Sequence, residues 1–163
     1  MWKQIEGYNY SVSINGEVRN DATERILKPS KNNKGYYELN LCNNGKAKNH
    51  KVHRLVALAF IPLEVGKDFI DHRDGDRTNN SLENLRWVTP QQNAQNRTLT
   101  KRNTSGYKGV TFDRARNKWM AGIKIDGKQI NLGRFETIEE AVAVRSARAN
   151  EVFGVFTHSC ERT

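Results

Sequence analysis

Asp71 and His72 stand side by side in Phe69-Ile70-Asp71-His72-Arg73-Asp74-Gly75-Asp76, and the amides Asn79, Asn80, Asn84 and Asn93 follow. An imidazole with a pKa near ~6.5 is largely neutral at cellular pH, so His72 suits the task of taking a proton from water. Asp71 supplies one hard oxygen ligand and Asn93 a neutral one. That sparse set suits a cation that keeps several waters and completes its shell with substrate phosphate, so magnesium or manganese fits better than zinc. A base that activates water and a cation that neutralises charge on a pentavalent phosphorus are what phosphodiester hydrolysis needs. Asp74-Gly75-Asp76-Arg77-Thr78 has the look of a calcium loop, but no alignment gives the required order of acidic ligands with Glu at the twelfth position, so calcium is not expected. Asp74, Asp76, Asn79 and Asn80 are read as turn residues that satisfy their own backbone.

These side chains must be placed by two strands and a helix. Asp68 to His72 and Leu85 to Val88 read as strands separated by the polar loop Arg73 to Asn84. Thr89 then opens a helix, with Pro90 at its first position and Gln92 completing a capping box. Asn93 falls in the first turn, where the helix dipole and free amides also favour a phosphate. Consecutive strand residues point to opposite faces, so Asp71 and His72 share one site only if the strand bends or ends there. Upstream, Lys51 to Phe60 carries apolar residues at 52, 55, 56, 59 and 60, a helical spacing that Pro62 stops. His53 lies next to that stripe and is read as a structural or surface histidine outside the site.

Composition sets the broader frame. A chain of 163 residues with 36% hydrophobic content favours small modules over one large core. The net charge of +9 and pI near 9.7 point to a polyanionic partner. Residues 1–100 hold fifteen Lys and Arg against eleven Asp and Glu, and residues 101–163 twelve against seven, so the excess is not a basic tail. Cys42 and Cys160 lie far apart in no metal-binding pattern, which argues against structural zinc and a disulfide framework and for a reduced compartment. Neither a signal peptide nor a membrane span is legible, so a cytoplasmic location is expected. The glycosylation triplets at Asn79, Asn96 and Asn103 are then chance matches in an Asn-rich chain.

The expected fold class is α+β, built from small modules. Residues 1–49 form a β-rich module with hairpin signals at Asn15-Gly16 and Asn43-Asn44-Gly45. Residues 50–97 form the ββα core and 98–105 a basic linker able to track a phosphate backbone. Residues 106–157 read as a three-stranded antiparallel sheet packed on one helix: Tyr107 to Phe112, Lys118 to Ile125, Lys128 to Gly133, then a helix capped by Thr137 and Glu140. Alternation puts Trp119, Ala121, Ile123 and Ile125 on one face and Lys118, Met120, Gly122 and Lys124 on a basic outer face.

The stretch Val52-His53-Arg54-Leu55-Val56-Ala57 through Asp71-His72-Arg73-Asp74-Gly75, Asn79-Asn80 and Asn84-Leu85-Arg86-Trp87-Val88-Thr89 to Asn93 resembles the phage-type HNH homing endonucleases, whose core is the ββα-metal (His-Me finger) fold. Trp2-Lys3, Ile5, Gly7-Tyr8, Val12-Ser13, Gly16 and Val18 resemble the nuclease-associated modular domain that often precedes that core. The resemblance implies that Asp71 and Asn93 bind a single divalent metal, Mg2+ or Mn2+, that His72 is the general base, and that Asn84 supports the catalytic geometry. It also implies nicking or cutting of DNA to 5′-phosphate and 3′-hydroxyl ends. Asp-His stands where many relatives carry His-His, which makes zinc-preferring relatives poor guides.

Tyr107, Gly109-Val110, Lys118-Trp119, Ala121, Ile123, Leu132-Gly133, Phe135 and Thr137 to Ala141 resemble the plant ethylene-response-factor type of DNA-binding domain. That resemblance implies contacts to double-stranded DNA from Lys108, Arg114, Arg116, Lys118, Lys124 and Asn131. Thr111, Gln129 and Asn131 replace residues common in the plant domains, so the target sequence does not carry over. The expectation is a monomeric, metal-dependent DNA endonuclease of a phage in a bacterial host. The competing reading is a regulatory DNA-binding protein with an inactive core. RNA binding is disfavoured because basic strands with few exposed aromatics lack a stacking platform.

Overall fold

The computed structural model describes residues 1–95, 99 and 103–157. The chain divides into two compact units, Met1–Pro90 and Gln91–Thr163. In the first, β1 (Trp2–Gln4), β2 (Tyr10–Ser13) and β3 (Val18–Asn20) form an antiparallel sheet in that order. A second sheet holds β4 (Ser30–Lys31), β5 (Tyr37–Asn43) and β6 (Lys46–Lys51). Asn44 and Gly45, with φ of 48° and 74°, make the tight β5–β6 turn, a conformation that Asn and Gly adopt with least strain. β6 keeps Lys46, Lys48 and Lys51 exposed, and such a charged strand is a poor template for pairing with another chain. Helix α1 (Val52–Phe60) follows at once, and β7 (Phe69–His72) pairs with β8 (Leu85–Val88).

The sequence separates residues 1–49 from 50–97, but in the structure one core crosses that line. Ile5, Val12 and Val18 from the first sheet pack with Leu39 and Leu41 from the second, Val52, Leu55 and Val56 from α1, and Leu85 from β8. Two small sheets have too little apolar surface to close cores of their own. Because α1 starts directly after β6, its apolar face is laid against both.

The second unit holds α2 (Pro90–Gln95), of which all but Pro90 belongs to it, then β9 (Val110–Asp113), β10 (Lys118–Ile125), β11 (Lys128–Phe135) and α3 (Ile138–Phe153). The antiparallel sheet has the order β11-β10-β9, and α3 packs Ala141 onto Val110 and Ala121, flanked by Trp119, Leu132, Phe135, Ile138 and Val142. Thr137 caps α3 in the expected box: its Oγ1 accepts from Glu140 N at 3.3 Å, and Glu140 Oε2 accepts from Thr137 N at 3.4 Å. The first strand starts at Val110 rather than Tyr107. Gly106 and Gly109 take φ of 78° and 70°, which breaks the extended run, and Gly109 O accepts from Gly122 N at 2.8 Å. Of the expected linker at 98–105, only Leu99 and residues 103–105 lie within the described residues. No helix among the described residues is long and apolar enough to cross a membrane.

Candidate active site

The β7–β8 ladder is regular from Phe69↔Val88 to His72↔Leu85, so the strand does not bend at the Asp-His pair. It ends there: Gly75 N donates to His72 O at 2.9 Å and Arg73 N to Asn84 O at 2.9 Å as the loop begins. Alternation therefore sends the two side chains to opposite faces of the ribbon's end. Asp71 faces its cross-strand partner Arg86, whose Nε and Nη2 both donate to Oδ2, at 2.9 and 2.7 Å, and both residues are buried. Arg86 is a buried partner to which the sequence pattern alone assigns no role. Its signal was a lone cation in the apolar strand Leu85-Arg86-Trp87-Val88, all four residues of which are buried.

His72 is 5% exposed, and its Nε2 lies 3.2 Å from Asn80 Oδ1. Asn80 commits its amide nitrogen to Thr78 O at 3.2 Å, which orients the amide and presents oxygen to the ring. An amide oxygen only accepts, so Nε2 carries the proton and Nδ1 keeps the basic lone pair. Burial lowers the His72 pKa, against the opposing pull of the Asn80 hydrogen bond and the carboxylates of Asp74, Asp71 and Asp76. The ring is neutral at neutral pH. Asn80, read from the sequence as loop scaffold, is buried and turned inward; nothing in the Asn79-Asn80 pair marks which amide faces in.

His53 is also part of this wall. Its ring stands 5.2 Å from that of His72 at 75°, and Tyr36 lies 4.9 Å from His53 and 6.0 Å from His72. With Val56 and Ala57 it shares one face of α1 at i, i+3 and i+4, the spacing that could have placed it inside. Its Nδ1 is buried with no hydrogen-bond partner among the described residues. Burial, then the positive fields of His72, Lys51 and Arg54, push its pKa down to about 3. The unfolded chain, titrating near 6.5, therefore takes up this proton first. Stability is flat above pH 6.5 in this respect and falls as pH drops from 6.5 toward 3, by at most about 1.4 kcal/mol per pH unit for one proton. In urea titrations His53→Phe should flatten that decline; equal slopes for variant and wild type between pH 6.5 and 4 would contradict it.

Asn84 is a brace for the loop. Its Oδ1 accepts from Asp74 N at 3.0 Å, and its Nδ2 donates to Asp74 Oδ1 at 2.9 Å and Asn79 O at 2.8 Å. Asp74 also accepts from Asp76 N and Asn79 Nδ2, and Asp76 accepts from Thr78 N and Oγ1. Asn93 sits half-buried on α2, in the second unit.

In the second unit, cross-strand register places Lys118, Met120, Gly122 and Lys124 on the sheet face away from α3, beside Asp113, Thr111, Arg134, Asn131 and Gln129. Lys124 and Asn131 are exposed there, as is Arg114 in the β9–β10 turn. Lys118 pairs with Glu136 at 2.7 Å and Arg116 with Asp113 at 3.3 Å. Exposed pairs of this kind are worth about 0–1 kcal/mol, so these cations can exchange partners readily. Lys108 is placed differently: it stands in the turn before β9, half-buried, and its Nζ donates to Gln95 O. Arg134, absent from the sequence reading, shares the outer face and pairs with Asp113 at 3.1 Å.

Comparison with known proteins agrees with this architecture. The family profile for HNH endonucleases matches residues 50–95, and that for the NUMOD4 motif matches residues 1–42. The chain is 41% identical over 97 residues to the DNA endonuclease I-HmuI of Bacillus phage SP01, covering 58% of this chain and 56% of that enzyme. It is 38% identical over 88 residues to Protein 3.8 of Escherichia phage T7, covering 54% of this chain and 72% of that protein. A solved structure, described as DNA binding and cleavage by the HNH homing endonuclease I-HmuI, superposes with a TM-score of 0.56 at 30% identity over 94% of this chain and 83% of the other. The chain belongs to the HNH endonuclease family. Its match spans about half the length of the SP01 enzyme.

Proposed function

We propose that this protein is a DNA endonuclease that hydrolyses a phosphodiester with His72 as general base and one divalent metal, Mg2+ or Mn2+, held by Asp71 and Asn93. The observation that carries the reading is the buried His72, kept neutral and presented as the Nε2–H tautomer by Asn80, one residue from a buried carboxylate. The donor chemistry fits the metal. Asp71, held by Arg86 through Oδ2, is a hard anionic oxygen donor of the kind magnesium and manganese prefer. An Asn amide oxygen is a second hard donor, a ligand count suited to magnesium or manganese. Asn93 enters through its place in the family pattern and Asp71 through its burial beside β8. When bound, the cation supplies neutralisation of phosphate charge and activation of the leaving oxygen. His72 Nδ1 takes the proton from the attacking water, Asn80 holds the ring, and Asn84 holds the loop that carries Asn80.

The outer face of the C-terminal sheet, with Lys118, Lys124, Asn131 and Arg134 and the turn residues Arg114 and Arg116, is proposed to bind the phosphate backbone and grooves of duplex DNA in the manner of an ethylene-response-factor-type domain. Lys108, half-buried in the turn before β9, lies off the outer face that carries the other predicted contacts on the strands. The chain's positive charge supports a DNA partner. The test is incubation of the wild-type protein with supercoiled plasmid and phage DNA in magnesium or manganese. Nicked or linear product ending in 5′-phosphate, abolished by a chelator, is expected. Duplex binding that weakens with salt but yields no product with either metal would instead make the chain a DNA-binding protein with an inactive core.

A further inference from the structure

The loop that carries Asn80 is gripped from the N-terminal module. The Asn15-Gly16 turn joins β2 to β3 and is internally tied: Ser13 Oγ accepts from Asn15 N at 3.2 Å and Glu17 N at 3.1 Å, and Gly16 N donates to Ser13 O at 3.0 Å. Leu82 N donates to Ile14 O at 2.7 Å, which docks the far end of the catalytic loop on the same turn. Gly16 lies so close to Asn80 that a Cβ there would stand 2.9 Å from Asn80 Cβ, 3.2 Å from its carbonyl oxygen and 3.4 Å from its carbonyl carbon. Those are main-chain or branch-point atoms, so they cannot yield as the end of a flexible side chain can. Gly16 also has φ of +83°, whereas Gly45, at +74° in the β5–β6 turn, meets nothing within 4 Å.

A second grip acts on the same loop. Arg77 donates from Nη1 to Lys34 O at 2.7 Å and lays its guanidinium 5.1 Å from the ring of Tyr36, the residue that also walls His53 and His72. Two points of the N-terminal module thus bear on one loop, and the tighter of them bears on the residue that sets the His72 tautomer.

We propose that Gly16 is a positioning residue for catalysis: the absence of a side chain lets the β2–β3 turn seat against Asn80 and hold its amide oxygen on Nε2 of His72. The N-terminal module is then a structural part of the active site and not only an attached DNA-contacting element. This rests on the assignment of His72 as the base. Two variants separate close packing from backbone strain, because Gly16→Ala and Gly45→Ala incur similar left-handed strain but only the first displaces Asn80. Gly16→Ala is expected to lower kcat by about 10- to 100-fold, as sub-ångström to ångström displacements of catalytic groups do, with DNA Kd within about twofold. Gly45→Ala should leave kcat within about threefold.

Nitrogen-15 NMR of the His72 ring at pH 8 supplies a readout independent of turnover: wild type and Gly45→Ala should show the Nε2–H tautomer, and Gly16→Ala a mixture. Asn80→Leu, which lacks the acceptor, should repeat the effect with Gly16 intact, and Asn80→Asp, which keeps an oxygen, should restore the tautomer. An unchanged His72 spectrum in Gly16→Ala or in Asn80→Leu, or equal losses of kcat in the two alanine variants, overturns the proposal. Should the wild type cut no DNA, the assigned reaction fails while the NMR comparison still decides the positioning.

Discussion

His72→Ala is expected to lower DNA cleavage by about 10²- to 10⁴-fold while leaving duplex Kd within about twofold. The ring is 5% exposed and turned toward His53 and Tyr36, so it contributes little to a DNA-binding surface and its loss should register in turnover. The size of the effect follows from its prepared state. Burial keeps the imidazole neutral and the Nε2 contact with Asn80 fixes the ring, so with His72 as the proposed base little reorganisation is needed when water arrives. The single-turnover rate of plasmid nicking in magnesium, with binding measured in calcium or with chelator, separates the two quantities. A variant rate within tenfold of wild type would remove His72 as the base. A matched fall in binding and rate would make it a structural residue.

The elements that position His72 were legible because their signals are local. The stripe at Val52, Leu55 and Val56 gave α1, the apolar runs gave β7 and β8, and the Pro90 start gave α2. Two-residue turns at Asn44-Gly45 and Asp126-Gly127 read directly, because left-handed backbone is favourable chiefly for Gly, Asn and Asp. The short strands β1 and β4 were missed: three and two residues are too few for alternation to show. What the sequence could not show is long-range. Asn79 and Asn80 are chemically identical neighbours, and only the fold decides that one closes an Asx turn on Ser81 N and the other meets His72. The shared core of residues 1–90 depends on α1 lying across two sheets, a relation no window of sequence contains. The bend sought at Asp71-His72 was a local argument as well, but the ladder runs regularly up to its end at His72, which leaves the two side chains on opposite faces.

Arg86→Met should destabilise the first unit by about 3–5 kcal/mol, the usual consequence of leaving one member of a buried ion pair uncompensated. Asp71 is 6% exposed and would lose two charge-assisted hydrogen bonds to Oδ2 at 2.9 and 2.7 Å. A loss of that size is a large share of the stability of a small unit. If the charge is the cause, Asp71→Asn in the Arg86→Met background should recover at least about half of it, since a neutral amide pays far less for burial than a carboxylate. Chemical denaturation of the two single variants and the double variant measures this directly. Additivity of the single losses would mean that Arg86 acts through packing and not through Asp71. Magnesium sharpens the comparison, because a cation at Asp71 can replace the missing guanidinium as countercharge and stabilises by mass action. Magnesium should therefore raise the midpoint of Arg86→Met more than that of wild type and leave Asp71→Asn unchanged. An equal rise in all three proteins would place the metal away from Asp71.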